Sequence, residues 1–196
     1  NTSPLLVPAV PTIASGRPTF ATQFLIDELG LDSVGVFCTG AQVYNPKSGS
    51  MLSAAYLPQE SCLRLIDRIR EHDIYNELYS DAGFFIERDI ASEIREVHAK
   101  HLRSQPEFKN FNTVIAEQPI IKFLIGANQT LDGRVLQGLE QAFPELHFAY
   151  ASLPAYPQWL FASIVDSLAC KRRAFDYVLS YYGVNAEEVI SFGDAQ

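Results

Sequence analysis

Three short segments of this 196-residue chain carry residue types that could handle a phosphate group. The first is Ser15-Gly16-Arg17-Pro18, which follows an apolar run over 10–14. A hydroxyl and backbone N–H groups at a strand-to-helix turn can hold a phosphate oxygen, because the following helix N-terminus presents unpaired donors. Arg17 could add a charge-assisted contact. Taken alone, the segment reads first as an ordinary helix cap with a surface arginine. The second is Lys171, at the start of a predicted helix. The positive end of a helix repels cations, so a lysine there suggests a nearby phosphate or carboxylate. Beside Arg172 and Arg173 it reads first as part of a solvated charge run. The third is Val189-Ile190-Ser191-Phe192-Gly193-Asp194. A strand ending in Gly-Asp would deliver a carboxylate to the carboxyl edge of a sheet, where ligands of open α/β sheets bind. A carboxylate there suits Mg²⁺, which prefers oxygen ligands and keeps water and substrate phosphate in its shell. An aspartate capping a turn is the equal alternative.

The elements that would position these residues follow from the apolar pattern. A helix is predicted over 20–29, closed by Gly30, and a buried strand over 34–38. Two short apolar stretches, 42–44 and 51–57, flank the turn-rich Asn45-Pro46-Lys47-Ser48-Gly49 and predict a hairpin. Helical spacing of Cys62, Leu65, Ile66 and Ile69 predicts a helix over 58–72 with Pro58 in its first turn. Strands are expected over 75–80 and 84–87, and a polar helix over 92–102 with Ser92 as N-cap. Further strands are expected over 119–126, 146–151, 159–166 and 188–192, with helices over 131–143 and 171–182, the latter ending at Gly183. Strand–helix alternation at the two ends predicts a parallel sheet, interrupted by an α+β insert over about 42–162. Nothing in that insert carries evident chemistry.

Composition narrows the function classes. The chain is 47% hydrophobic with a formal net charge of -8, which suits a packed soluble domain and argues against a nucleic-acid surface. No apolar run is long enough to span a bilayer, and the start shows no signal-peptide pattern. The three cysteines, Cys38, Cys62 and Cys170, match no metal spacing and read as reduced thiols of a cytoplasmic protein.

Taken together and in order, the segments resemble the Cof-like phosphatases of the haloacid dehalogenase (HAD) superfamily. Ser15-Gly16-Arg17-Pro18 looks like their second motif, and Thr39-Gly40-Ala41-Gln42-Val43-Tyr44 resembles their entry into the cap, with Thr39 where Asn is usual. Cys170-Lys171 through Ala174 and Leu179 resembles the third motif, and Tyr182-Gly183-Val184 through Gly193-Asp194 the fourth. The resemblance implies an α/β fold: a Rossmann-like HAD core, a parallel sheet with flanking helices, over 1–41 and 164–196. A large α+β cap of the C2 type would occupy 42–163. It implies a Mg²⁺-dependent phosphatase acting on phosphate monoesters of small metabolites, often sugar phosphates, through an aspartyl-phosphate. Ser15 would hold the transferring phosphoryl group with Gly16 and Arg17 beside it. Lys171 would stabilise the nucleophile and the phosphoryl charge, and Asp194 would bind Mg²⁺. A carboxylate nucleophile splits a hard displacement into two easier steps, with Mg²⁺ and lysine neutralising the charge that repels the attack.

The first motif of that family, Asp-x-Asp-Gly-Thr, does not occur in this sequence, and Ser163 stands before Ile164 where Glu is common. The chain is therefore expected to be part of a longer enzyme. A degenerate relative that only binds a phosphorylated metabolite, and a sugar-phosphate mutase, are the alternatives. The expected partner is a small phosphorylated metabolite, with no nucleic acid or membrane, and with oligomeric state open. The aromatics Tyr44, Tyr56, Tyr75, Tyr79, Phe84, Phe85, Tyr150, Tyr156 and Trp159 are read as core packing before a sugar-stacking wall. His98 and His101, three apart on a helix, are read as exposed. Glu117, Lys122 and Arg134 are read as surface charges.

Overall fold

The structure, a computed structural model, describes residues 9–128 and 134–193. Two sheets organise the chain. The smaller has order β1-β2-β3, formed by β1 (Gly35–Phe37), β2 (Gln42–Asn45) and β3 (Ser50–Ala54), all antiparallel. A parallel bridge ties Ala14 to Val36. The helix α1 (Gln23–Leu29) follows a 3₁₀ turn at Thr19–Ala21, and ends at Gly30 in the left-handed conformation with φ 60°.

The larger sheet has six strands in the order β6-β5-β4-β7-β9-β8. These are β4 (Tyr75–Tyr79), β5 (Phe84–Ile86), β6 (Glu107–Phe108), β7 (Lys122–Asn128), β8 (Leu146–Leu153) and β9 (Tyr156–Asp166). Strand side chains alternate between faces, and both faces of β4 and β7 are buried. Leu78, Phe123 and Ile125 belong to one cluster with Cys62, Leu65, Ile66 and Ile69 of α2 (Gln59–His72), Phe111 and Val114 of α4 (Phe111–Glu117), and Leu136 and Leu139 of α5 (Val135–Ala142). Tyr75, Tyr79 and Leu124 point the other way. They pack with Ile94 and Leu102 of α3 (Ser92–Leu102), and with Ala21, Cys38 and Ala41 from the smaller sheet's region. This second face therefore looks toward the Ser15–Pro18 loop.

The last helix, α6 (Lys171–Tyr182), places Ala174 and Val178 against Val34, Val36 and Val43. The Tyr182 hydroxyl accepts a hydrogen bond from Val34 N at 2.8 Å. Gly183 closes the helix with φ 65°, as its position predicts.

Three expectations are corrected. Residues 188–192 do not form a strand. A 3₁₀ turn at Ala186–Glu188 leads into extended chain in which Ile190 is 80% and Phe192 94% exposed. A strand needs a ladder partner, and among the described residues none lies beside this segment. Ser92 is the first helical residue rather than the N-cap, a position that Ala91 takes. Helix α4 and strand β6 fall where the sequence pattern assigns nothing. Helix α4 is only seven residues long, and the Asn110 side chain starts it by accepting from Asn112 N and Thr113 N at 3.0 and 3.3 Å. Asn110→Ala is expected to cost about 1 kcal/mol in urea unfolding, the usual loss for an N-cap. An unchanged midpoint would show that packing of Phe111 and Val114 alone defines the helix start.

Candidate active site

The site is built around the sharp turn that leaves β1. Cys38, Thr39 and Gly40 have φ of 50°, 60° and 96°, so the chain reverses through three successive left-handed residues, two of them not glycine. Such conformations persist only where surrounding structure enforces them. Here the enforcement comes from the Ser15 loop. Ser15 N donates to Val36 O at 2.8 Å, Cys38 N to Arg17 O at 2.8 Å, and Thr39 N to Ser15 O at 3.4 Å. Within the loop, Arg17 N donates to Ser15 Oγ at 3.1 Å. One lone pair of the hydroxyl is thus occupied, and its proton remains free to donate outward.

The other side of the same turn holds the start of α6. A Cβ on Gly40 would lie 2.5 Å from Lys171 N and would collide with the Cys170 carbonyl group, whereas a Cβ on Gly16 would stand 3.8 Å from Thr39 Oγ1. The segments Ser15-Gly16, Thr39-Gly40 and Cys170-Lys171, distant in sequence, therefore meet at the carboxyl end of β1. Cys38, fully buried in the turn, has its thiol pushed up to about 11, by burial above all. It is inert there. Cys170, the exposed N-cap of α6, has its thiol held below the usual value by the backbone N–H groups of Arg173 and Arg172.

A cleft of about 360 Å³ opens between the Ser15–Pro18 loop and the inward face of the six-stranded sheet. Ser15, Gly16, Arg17 and Pro18 form one wall. Tyr79, Lys122 and Leu124 from β4 and β7, with His98, His101 and Leu102 from α3, form the other. Of the residues singled out in the sequence, Ser15, Gly16 and Arg17 line this cleft. Lys171 joins the cluster through its backbone at Gly40, with its side chain exposed. Asp194 lies outside the described residues. Among those described, no group of three or more His, Cys, Asp or Glu side chains could hold a metal ion.

The insert carries chemistry that the sequence reading passed over. Glu77, on β4, is 0% exposed. It accepts hydrogen bonds from the hydroxyls of Tyr75 and Tyr79, and its Oε1 lies 3.0 Å from His98 Nδ1. Burial first, and then the carboxylate, push both phenols far above their ordinary value, so both remain donors. The His98 side chain is 12% exposed, which corrects its reading as an exposed helix residue. His101 is exposed as expected, but it is engaged. Lys122 is not a surface charge: it is 7% exposed, with Nζ 4.0 Å from the centre of the Tyr79 ring. Glu117 does sit at the surface, paired with Lys109 at 2.7 Å, and Arg134 is exposed. Of the aromatics read as core, Tyr75, Tyr79, Phe84 and Phe85 are buried, whereas Tyr150 is 41% exposed. The signal for Glu77 and Lys122 was present: a charged residue within an apolar strand is rarely buried without a purpose.

Two contacts fasten α3 and the adjoining turn over the loop. Arg17 Nε donates to His101 Nε2 at 3.1 Å, and the Arg103 guanidinium lies 3.7 Å over the Phe24 ring. Buried Gln42 accepts from Thr19 N at 3.2 Å and donates to Asp81 Oδ1 at 2.6 Å, while Tyr56 donates to Asp81 Oδ2. The Arg17 contact requires an unprotonated His101 Nε2. Partial desolvation of the ring in the cleft wall first, then the positive charge of Arg17, holds this imidazole below its ordinary 6.5. A base with a lowered folded-state pKa contributes fully above its unfolded value and loses that contribution as pH falls through the lowered one. The Arg17–His101 contact is therefore expected to release in acid, below pH 6.5. An NMR titration of the His101 ring should show its midpoint under that value, and Arg17→Gln should raise it. A midpoint that Arg17→Gln does not move would contradict the pairing.

Comparison with known proteins agrees with this arrangement. Residues 10–196 match the haloacid dehalogenase-like hydrolase family, and the chain belongs to that family, in its Cof-like group. It is 29% identical over 83 residues to the pyridoxal phosphate phosphatase YbhA of Escherichia coli (strain K12), a match that covers 42% of this chain and 30% of that protein. It is 25% identical over 198 residues to the HMP-PP phosphatase of Serratia proteamaculans (strain 568), covering 95% of this chain and 65% of the relative. The chain thus spans less than two thirds of the length of either. Its fold is that of a haloacid dehalogenase-like hydrolase from Bacteroides thetaiotaomicron, with a TM-score of 0.80 at 22% identity over 93% of this chain and 68% of the other. No helix among the described residues is long and apolar enough to cross a membrane.

Proposed function

We propose that the protein is a Mg²⁺-dependent cytoplasmic phosphatase that hydrolyses phosphate monoesters of small metabolites, sugar phosphates among them. The observation that carries this reading is the meeting of Ser15-Gly16, Thr39-Gly40 and Cys170-Lys171 at one sheet edge, beside a cleft lined by Arg17. Two relatives bearing phosphatase names support it. In this reading the Ser15 hydroxyl, whose proton is free, donates to a non-bridging phosphoryl oxygen, and Gly16 lets the backbone approach closely. Arg17 contributes charge from the cleft wall. Lys171 offsets the negative charge shared by the phosphoryl group and an attacking carboxylate. Positioning and electrostatic stabilisation of this kind account for most of the rate enhancement in phosphoryl transfer. The Mg²⁺, held by Asp194, would neutralise phosphoryl charge. Within the range 42–163 proposed as cap, β2 and β3 pair with β1 and stay with the core, so the part that carries the six-stranded sheet would close on the core and select the substrate.

The test is Mg²⁺-dependent phosphate release from a panel of monoesters by the full protein that carries this sequence. Activity is expected, and Lys171→Ala should lower kcat by about a hundredfold or more, as for loss of a preorganised charge at a developing oxyanion. No release from any ester, with phosphate still bound, would instead favour a catalytically silent binding protein.

A further inference from the structure

We propose that the cleft reads a second anionic group on the substrate, a carboxylate or a second phosphate, through the ammonium of Lys122. The proposal rests on the reading of Ser15 and Gly16 as the phosphoryl-binding loop. It names the class of molecule attached to that phosphoryl group.

Lys122 occupies the first position of β7, where the antiparallel register sets it directly opposite Tyr79. Alternation along the strand then fixes its direction. Phe123 and Ile125 enter the core under α2, so Lys122 and Leu124 face the cleft. The side chain is 7% exposed, and its ammonium rests 4.0 Å from the Tyr79 ring. Among the described residues no carboxylate pairs with it. Glu77 stands on the same sheet face, opposite Leu124. Its oxygens are already engaged by the hydroxyls of Tyr75 and Tyr79 and by His98.

A desolvated ammonium without a carboxylate partner is costly. A ring face recovers only part of that cost. The ammonium and the Arg17 guanidinium, with neutral His101 beside Arg17, line one concavity in a protein of net charge -8, so the cleft brings two cations together on an acidic molecule. The phosphoryl-binding hydroxyl is on the loop wall and Lys122 on the sheet wall. An anion at each wall places the second charge on the organic part of the substrate. Leu102 and Leu124 supply the apolar surface between them.

Binding measured by calorimetry on the full protein, without turnover, tests this with two matched pairs. The first compares 3-phosphoglycerate with glycerol 3-phosphate, a carboxylate against a hydroxymethyl group. The second compares fructose 1,6-bisphosphate with fructose 6-phosphate. The wild type is expected to prefer the doubly anionic member of at least one pair by about tenfold, the worth of one charge-assisted contact. The pair that shows the preference tells carboxylate from phosphate. Lys122→Met keeps the buried stem and should bring the ratio to about one, while Lys122→Arg should retain part of it. Thermal melts of both variants check folding, and Lys122→Arg carries the comparison if Lys122→Met unfolds. An unchanged ratio in Lys122→Met would overturn the proposal. So would equal loss of affinity for both members, which would place Lys122 on the transferring phosphoryl group itself, and so would a wild type without preference. Failure of the underlying reading looks different: Ser15→Ala would then leave the affinity of all four ligands unchanged.

Discussion

Gly40→Ala is expected to destabilise the protein by about 3 kcal/mol, as the sum of backbone strain and overpacking, and to displace the start of α6. Backbone strain and a steric clash each contribute. The φ of 96° is closed to an L-residue without strain. The added Cβ would also meet the backbone of Cys170 and Lys171, and backbone cannot swing aside as a flexible side chain can. The controls Gly30→Ala and Gly183→Ala separate the two contributions. Both glycines are left-handed, and a Cβ at either would meet nothing within 4 Å. They should lose only about 1 kcal/mol. Urea unfolding of the three variants gives the comparison. Equal losses at all three positions would mean that the contact between the β1 turn and α6 is slack, and the site would lose the joint that sets Lys171 against the Ser15 loop.

Glu77→Ala should cost about 4 kcal/mol, in the range for breaking one partner out of a buried charged network. The substitution strands two buried phenols and His98 with no acceptor. Glu77→Gln retains the shape and one acceptor oxygen, and should lose roughly half as much. The effect should reach the cleft as well. Tyr79 supports Lys122 with its ring and is itself held through its hydroxyl by Glu77, so loosening Glu77 frees the platform beneath the ammonium. A Glu77→Ala protein within about 1 kcal/mol of wild type would show that the network contributes nothing net.

The residues reveal unevenly how much of this was legible in advance. Helix α6 was legible over 171–182, its end marked by Gly183, which can adopt the left-handed cap. Helix α2 and the β2–β3 hairpin were equally clear, from four buried apolar residues at helical spacing and from the Asn45–Gly49 turn. The strand expected over 188–192 failed for a physical reason. Val189, Ile190 and Phe192 have strand-like propensity, but propensity does not supply a hydrogen-bonding neighbour. Helix α4 is too short to show a periodic face, and Asn110 identifies its start only once its neighbours are placed. In the site, the motif residues Ser15, Gly16 and Arg17 were visible as local patterns. Glu77, His98 and Lys122 were not, because they come from three elements whose register on one sheet face is a tertiary property. Their sequence trace was a charged residue inside each of two apolar strands, read as surface charge for Lys122 and passed over for Glu77.

The proposed phosphatase site requires that the segments at Ser15-Gly16, Thr39-Gly40 and Cys170-Lys171 share one anion. The most direct measurement follows the backbone amide resonances of Gly16, Arg17, Gly40 and Lys171 as inorganic phosphate is added. All four are expected to shift along one saturation curve with one dissociation constant, and Ser15→Ala should weaken that constant for all of them together. Shifts confined to a single segment, or different constants for the loop and for Lys171, would show that these groups do not share a phosphate.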